Sequence, residues 1–394
     1  MARRSRGSRI PATAALAVFV AAPVAAQDLL VRAGTVVIAA DGAPIGPNTF
    51  LVRQGKVAFV GTDIPAEAQA RATTVDYGDK YLVPGFVLGP STLGRDRDLA
   101  EGALAFTPDL RAVEAFDPWQ EELAKLPRAG ITSLVLSPSP RNVAGGLGAL
   151  VKPGLDGGTV AAAEVQMALS LTQAARNPER EPTSLMGACG MLRSAFAEAR
   201  TGTQPGPDVA VLRQALAGTR TVAIFADTFV ELVAALDLAR EFAFTPVLVG
   251  ARDAEKVLPR LVAQKASVVL DTLRPEQRLA QLRLPTLLAE AGVPFCFGGR
   301  PDQVRLSAAL AVRFGLDRKT ALAALTRTPA QMFELQAAVG SLRQGHGADF
   351  VVFTGDPLDL TSAHVATWVA GVRLCGDAPS PTTPTAAATA AGDR

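Results

Sequence analysis

Apolar and polar residues alternate at both ends of the chain, which predicts short antiparallel strands there. The segment DLLVRAGTVVIAADGAPIGPNTFLVRQGKVAFVGTD, residues 28–63, holds three alternating runs interrupted by DG, GPN and QGK. Such interruptions are typical of turns between strands. Residues 339–360 and 365–375 repeat this pattern with glycine turns. Because two-stranded units are not stable alone, we expect strands from both chain ends to pair and close one small sandwich.

From about residue 83 the pattern changes to short β-branched runs that alternate with helical spacing. After the run TVAIFA, for example, Phe229, Leu232, Val233, Leu236 and Leu238 recur at helical intervals. The strand-like runs lie in residues 81–94, interpreted as the first strand of a larger domain, and at 131–138, 221–226, 245–250, 267–271 and 293–299. Such alternation indicates parallel βαβ units. At least six units in a row favour a compact (β/α)8 barrel, with a doubly wound sheet as the alternative.

The composition fits a folded chain with an N-terminal leader. Hydrophobic residues make up 48% of the 394 residues and charged residues 19%, enough for a large core. The first nine residues carry four arginines, an apolar stretch follows, and Val24 and Ala26 are small. This pattern predicts a signal peptide cleaved after Ala26 and export to the periplasm or the medium, with an uncleaved anchor as the alternative. No later segment has the length of a membrane span.

Charge and cysteine content exclude several classes of partner. The chain has 39 Lys and Arg against 37 Asp and Glu, and loss of the leader's four arginines leaves 35 against 37, a net charge of −2. Nothing therefore indicates a nucleic acid or an anionic membrane as partner. Cys189, Cys296 and Cys375 form no C-x-x-C pair, which argues against zinc ribbons and redox motifs. Three cysteines allow one disulfide, whose pairing the sequence does not assign, and leave at least one thiol unpaired.

Six segments follow one another along the chain: LLVRAGTVV…DG…LVRQGKVAFVG, YLVPGF, PRAGITSLVLSPSPRNVAGGLGALVK, LLAEAGVPFCFGG, GLDRKTALAALTRTPAQMFEL and VGSLRQGHGADFVVFTGDPLDL. In this order they resemble the amidohydrolase superfamily, in particular its imidazolonepropionase- and dihydroorotase-like branch. The resemblance implies a metal-dependent barrel flanked by a β-sandwich, acting on C–N bonds. The domains expected are a signal peptide (1–26), the first sandwich part (27–82), the barrel (83–335), the second sandwich part (336–375) and a disordered tail (376–394).

The family pattern also implies metal ligands that this sequence does not carry. An acid-x-His-x-His would fall on Val87–Ser91, which reads VLGPS. Further family histidines would fall at Phe225 and near Gly250, and the family aspartate near Gly298 or Gly299. The two histidines, His346 and His364, are expected outside the barrel as dispersed surface residues. We therefore interpret the chain as a degenerate family member without a cofactor. The resemblance implies an ancestral divalent metal, most typically zinc, which we expect to be lost.

Polar residues at expected strand ends and loops are the candidates for a ligand pocket at the barrel mouth. They are Ser91, Asn142, Lys152, Asp227, Arg252, Asp271, Arg300 and Asp302, with Ser137, Ser139 and Asp253 nearby. One alternative is a carboxylate site for a hard cation; the others are helix capping for the aspartates and a solvated Arg300–Asp302 pair. Residues 139–154 lack the ending of a phosphate-binding loop and are expected to form a flexible βα loop.

These observations predict an exported amidohydrolase-family protein that is catalytically inactive and has a binding or partner-subunit role. The expected partners are a second copy, an active homologue or a small-molecule ligand. One alternative is an active hydrolase of amide or cyclic amide bonds with an atypical site. Another is a receptor that uses the barrel mouth as its pocket.

Overall fold

The structure is a computed structural model that describes residues 28–40, 48–203 and 205–377. The expected leader, residues 1–26, lies outside the described residues, as do residues 378–394 of the expected tail and the DG turn near the N-terminus. No helix in these three ranges is both long and apolar enough to cross a membrane.

The strands follow the two predicted patterns, short strands at both chain ends and strands that alternate with helices between them. In chain order they are β1 (Leu29–Arg32), β2 (Thr35–Val36), β3 (Thr49–Arg53), β4 (Lys56–Val60), β5 (Thr73–Asp76), β6 (Tyr81–Pro84), β7 (Phe86–Ser91), β8 (Ile131–Leu136), β9 (Ala144–Lys152), β10 (Thr159–Ser170), β11 (Thr221–Ala226), β12 (Pro246–Gly250), β13 (Ser267–Leu270), β14 (Phe295–Phe297), β15 (Phe350–Phe353), β16 (His364–Val369) and β17 (Val372–Gly376).

Most helices lie between the strands of the central region. In chain order they are α1 (Ala66–Arg71), α2 (Glu121–Lys125), α3 (Leu185–Thr201), α4 (Pro207–Leu216), α5 (Phe229–Phe242), α6 (Leu258–Ala263), α7 (Leu279–Glu290), α8 (Val304–Arg313), α9 (Arg318–Leu325) and α10 (Arg327–Met332). The apolar faces of α2 to α9 are buried in one large cluster with the outer face of the central sheet.

The central sheet is an eight-stranded, nearly closed barrel, in agreement with the predicted fold class. Its order is β14-β13-β12-β11-β10-β9-β8-β7, and the two end strands contact each other. One strand departs from the regular (β/α)8 pattern. β9 is antiparallel to both β8 and β10, whereas the other neighbouring strands are parallel.

The expectation of a flexible loop over residues 139–154 is wrong for most of that segment, because β9 is a nine-residue strand with seven buried positions. Its glycines allow the neighbouring backbone to approach closely. A Cβ atom on Gly148 would lie 2.7 Å from the carbonyl oxygen of Leu136, and one on Gly146, which has φ +116°, would lie 2.2 Å from that of Leu110. The glycines that suggested flexibility therefore permit tight packing.

The barrel interior is packed with apolar side chains rather than open. Val87, Val135, Val269 and Cys296 from four different strands share one cluster with Phe333, which follows α10. Cys296 is fully buried, and burial raises the pKa of its thiol. Apolar side chains thus fill much of the interior, as in barrels whose inward side chains form layers.

Both chain ends build the small sandwich, as predicted. One sheet has the order β4-β3-β1-β5, and the other has the order β17-β16-β15-β6-β2. The antiparallel pairing of β15 with β6 joins the C-terminal part to the N-terminal part. Inside, Phe350 lies edge-on to Phe50 and stacks on Trp368, with both centroid distances 5.4 Å, and the indole of Trp368 donates to the hydroxyl of Tyr77 at 2.6 Å.

Candidate functional site

The carboxyl ends of the parallel strands surround a cavity of about 370 Å³ at the barrel mouth. Its floor is apolar and includes Phe225, Val249 and Val269. Its polar groups include Asp227 after β11 and Asp271 after β13. An adjoining cavity of about 270 Å³ shares both carboxylates and adds Arg252. The mouth therefore presents an apolar surface beside two carboxylates and one guanidinium.

Asp227 is held in place by the start of α5. The carboxylate of Glu231 accepts hydrogen bonds from the backbone N–H groups of Asp227 and Thr228, both at 3.0 Å, and forms an ion pair with Arg176 at 2.5 Å. Thr228, rather than Asp227, is the N-cap residue of this helix. The side chain of Asp227 is therefore free of the capping role that the sequence had offered as its alternative.

The surroundings of Asp227 favour its protonated form. Burial is the main cause that raises the pKa of its carboxyl group, and Asp271 is among the nearby negative charges that raise it further. Arg252 acts in the opposite direction but does not cancel the effect. A buried carboxyl with a raised pKa beside a second carboxylate is the kind of group that accepts or donates a proton at a binding site.

The predicted capping role of Asp253 is realised on a different helix from the one that was expected. Its carboxylate accepts a hydrogen bond at 3.0 Å from the backbone N–H of Phe229, the first residue of α5. Its side chain caps no helix that follows it directly. Asp253 therefore connects the loops after β11 and β12 beneath the rim of the mouth.

Other predicted site residues serve the loops around the mouth. The hydroxyl of Ser91 accepts a hydrogen bond from the backbone N–H of Leu93 at 3.1 Å. Asn142 is buried, and its amide nitrogen donates to the carbonyl oxygens of Glu101 and Leu104 at 3.0 and 2.6 Å. Both side chains thus hold backbone in place, and neither lines the mouth cavity.

Arg300 and Asp302 form the solvated pair that the sequence offered as an alternative. Their side chains lie 2.8 Å apart and are 67% and 61% exposed. They line a separate surface cavity with Lys125, Leu126 and other residues that precede β8. Neither residue lines the mouth cavity or the cavity that adjoins it, so the pair is not part of the mouth. Such exposed pairs contribute little to stability.

Lys152 lies at the other end of the barrel, which corrects its expected place at the mouth. β9 runs antiparallel to its neighbours, so its last residue lies beside the start of β8. There the ammonium group of Lys152 is 2.5 Å from the carboxylate of Asp349, just before β15, and both side chains are largely buried. Lys152 thus joins the barrel to the sandwich.

Val269 occupies the space between two positions where the resembling family carries metal ligands. A Cβ atom on Gly89 would lie 2.9 Å from Cγ1 of Val269, and one on Gly298 would lie 2.8 Å from the same atom. Neither residue offers a donor side chain, and Phe225 contributes a ring to the mouth. The residues present therefore do not fit the divalent metal of that family, which needs imidazole and carboxylate donors.

Histidine and acidic side chains elsewhere do not supply a replacement cluster. His346 and His364 lie in the sandwich region and are partly buried, with hydrogen bonds to Ser341 at 3.0 Å and Thr367 at 2.7 Å. Burial lowers the pKa of both imidazoles. Within residues 28–40, 48–203 and 205–377, no group of three or more His, Cys, Asp or Glu side chains is arranged to hold a metal ion.

Comparisons with known proteins agree with this architecture. Residues 305–374 match the model of the family described as Amidohydrolase family. The chain is 23% identical over 395 residues to amidohydrolase tasK of Hapsidospora irregularis, a match that covers 83% of this chain and 40% of the relative. The chain thus spans about two-fifths of the length of that curated relative.

Solved structures show the same fold. An amidohydrolase from Thermotoga maritima MSB8 superimposes with a TM-score of 0.77 at 24% identity, covering 89% of this chain and all of the other. The ochratoxinase of A. niger gives a TM-score of 0.56 at 16% identity over 91% of this chain and 99% of the other. The fold is therefore that of the amidohydrolases. Residues 305–374 thus match the amidohydrolase family model, and the chain shares the fold of these solved amidohydrolases.

Two parts of the mouth were missed by sequence reasoning. Thr172 and Gln173 line the cavity from the loop after β10. The last ten residues of that strand, AAAEVQMALS, did not suggest a strand because they hold a single β-branched residue. Glu231, which fixes Asp227, was also missed. The signal for it was present, because Thr228 and Glu231 have the spacing of a capping box.

Proposed function

We propose that this protein is an exported, non-hydrolytic member of the amidohydrolase family that binds a small molecule at its barrel mouth. The observation that carries the proposal is the position of Val269, whose side chain fills the space between Gly89 and Gly298. A metal ion with imidazole ligands needs that volume and those donors. The barrel does not need them for its stability, because a cluster of apolar side chains from its strands fills much of the interior.

The chemistry of the mouth favours a ligand with an apolar body and a hydrogen-bond donor or positive charge. Phe225, Val249 and Val269 offer apolar surface, whereas Asp227 and Asp271 accept hydrogen bonds at the rim. Burial of an apolar body against such a floor is the usual source of affinity in small-molecule sites. The carboxylates would then select for the orientation of the ligand.

Export and association belong to the same proposal and rest on the sequence. The basic and apolar N-terminus supports cleavage after Ala26, and the family resemblance supports assembly with a second copy or with an active homologue. The N-terminal sequence of the secreted or periplasmic protein should begin at Gln27. Light scattering on purified protein should give more than the mass of one chain, and a monomeric mass with no co-purifying homologue would remove the partner role.

A second candidate function is metal-free hydrolysis of a C–N bond. The observation that favours it is the carboxyl group of Asp227, whose pKa is raised by burial, beside the second carboxylate of Asp271, because two neighbouring carboxyl groups can serve as an acid and a base. If the pair were such a catalytic site, Asp227→Asn and Asp271→Asn would each abolish the hydrolysis of cyclic amides or dipeptides. Under our main proposal, neither the parent protein nor the variants hydrolyse them.

Metal content is the measurement that tests the main proposal. Residues 27–394 are incubated with zinc, manganese and iron, freed of unbound ion and analysed by mass spectrometry. We expect less than about a tenth of an equivalent of each metal, since tight binding needs a complete donor set. About one equivalent that is lost in Asp227→Asn and Asp271→Asn would overturn it, and hydrolysis of cyclic amides after metal loading would do so as well.

A further inference from the structure

Another cavity at the mouth face is lined by arginines. It has a volume of about 500 Å³ and lies among the loops that follow β7, β8 and β10. Arg97 comes from the first loop, Arg141 from the second, and Arg176 and Arg180 from the third. Glu101 is the acidic residue of this lining. Four guanidinium groups thus meet around one concave surface, which is uncommon for residues that repel one another.

Most of this positive charge has no counter-ion within the described chain. Arg176 is paired with Glu231, but Arg97, Arg141 and Arg180 form no ion pair with any described residue. Both Arg97 and Arg141 are exposed. The negative charge of Glu101 offsets one of these three positive charges, which leaves a surplus of two in the cavity.

Arg180 holds its charge in the cavity wall with neutral partners. Its guanidinium donates to the carbonyl oxygens of Glu101 and Leu104 at 2.8 Å, Gly102 at 3.1 Å and Arg141 at 3.0 Å. Its Nε is buried without a hydrogen-bond partner. Carbonyl groups satisfy the N–H donors but cannot neutralise the charge, so Arg180 keeps a positive potential in the wall.

The loop beneath these arginines is fixed before any ligand arrives. The amide of Asn142 and the guanidinium of Arg180 both bind the carbonyls of Glu101 and Leu104. Glu101 itself accepts a hydrogen bond from the backbone N–H of Ala103 at 2.8 Å. Two side chains from different loops thus fix this segment, so little ordering entropy is lost on binding.

We propose that this cavity binds a small anion with at least two negative charges, a phosphate ester or a polycarboxylate. Guanidinium groups offer planar, paired donors that match the oxygens of phosphate and carboxylate. A dianion would compensate the surplus charge and bring Arg97 and Arg141 together over the fixed loop. Ala174 lines both this cavity and the mouth cavity, so the two sites adjoin. The proposal does not depend on what the mouth itself binds.

Titration calorimetry with two probes at constant ionic strength tests the proposal. Residues 27–394 are titrated with inorganic phosphate and, separately, with citrate. We expect saturable binding of at least one probe that weakens about tenfold or more in Arg97→Ala/Arg141→Ala, because two charge-assisted contacts are lost. The probe that binds more tightly identifies phosphate or carboxylate chemistry.

Arg283→Ala is the matched control, since Arg283 is exposed on α7 and lies outside this cavity. It should bind the probes as the parent protein does. The replaced side chains of Arg97 and Arg141 form no hydrogen bond or ion pair that holds the fold, so both variants should melt with the parent. No saturable heat with either probe would overturn the proposal, as would equal affinity in the double variant.

Discussion

A methyl group at Gly89 would lie 2.9 Å from Cγ1 of Val269, closer than carbon atoms pack without displacement. Because Val269 is held by the surrounding cluster, the neighbour cannot move away freely. We expect Gly89→Ala to lower the free energy of unfolding by about 1–3 kcal/mol, the usual cost of overpacking a core. Urea denaturation followed by circular dichroism measures the change.

Two further variants show whether the effect comes from this contact. Gly190 lies within α3, has no atom within 4 Å of its added Cβ, and should be stabilised by about 0.5–1 kcal/mol on change to alanine. In a Val269→Ala background, Gly89→Ala should cost less than it does in the parent protein. If Gly89→Ala were neutral in the parent, the space at the family's ligand positions would be open.

The raised pKa of Asp227 leads to a prediction for the pH dependence of stability. Its folded pKa is raised by burial, so the folded state favours the protonated carboxyl. Below the ordinary pKa of 3.8 the carboxyl group is protonated in both the folded and the unfolded state, so it costs the fold no stability. As pH rises from there through the folded pKa, the buried charge destabilises the fold, and the loss is complete above the folded pKa.

Asp227→Asn removes this titration and should therefore stabilise the protein near neutral pH but not below pH 3.8. Thermal melts of both proteins across the acidic to neutral range measure the difference. Asp302→Asn is the control, because its carboxylate is 61% exposed and should show no such trend. A difference between Asp227→Asn and the parent that does not change with pH would contradict the argument.

Among the secondary-structure elements, β11 to β14 were predictable and β9 and β10 were not. The first group has short β-branched or aromatic runs such as TVAIFA, each followed by a helical pattern, which local propensity alone identifies. The second group is rich in Gly and Ala. Its strands form because neighbouring backbones come close, a tertiary effect that no local pattern reports.

The buried contact between Lys152 and Asp349 gives a prediction for β9. Their charged atoms are 2.5 Å apart, and the side chains are only 13% and 5% exposed. Lys152→Met would leave the carboxylate of Asp349 without its cation, which costs about 3 kcal/mol when such a pair is buried. Chemical denaturation should show this loss, and adding Asp349→Asn should recover part of it.

Lys125→Met is the comparison for that variant. Lys125 lies 2.7 Å from Glu121 on the exposed face of α2, and both side chains are more than half exposed. We expect no measurable loss of stability from this change. If Lys152→Met behaved in the same way, the barrel and the sandwich would not be coupled through β9.

For the molecule as a whole, the sequence predicted which strand ends meet but not the direction of every strand. Asp227, Arg252 and Asp271 follow three successive parallel strands, so their convergence at the mouth follows from the βαβ rule. Lys152 was misplaced because its strand is antiparallel. The arginine cavity was not predicted at all, since its residues come from three loops whose paths no periodicity describes.

The sandwich shares its core between the two chain ends and is joined to the barrel. Trp368 of β16 stacks on Phe350 and binds Tyr77, and Thr367 donates to the carbonyl of Pro127 at 2.7 Å. Phe353 stacks on Phe86 of the first barrel strand at 6.1 Å. Loss of β16 and β17 would therefore expose aromatic surface and also remove contacts with the barrel.

We expect a chain that ends at Ala363 to lose its cooperative thermal transition, including the signal from the barrel helices. A chain that ends at Asp377 keeps every described strand and helix and should melt with the full chain. Circular dichroism at a helical wavelength compares the two truncations. A native-like helical transition in the shorter chain would contradict this prediction. It would mean that the barrel folds independently of β16 and β17.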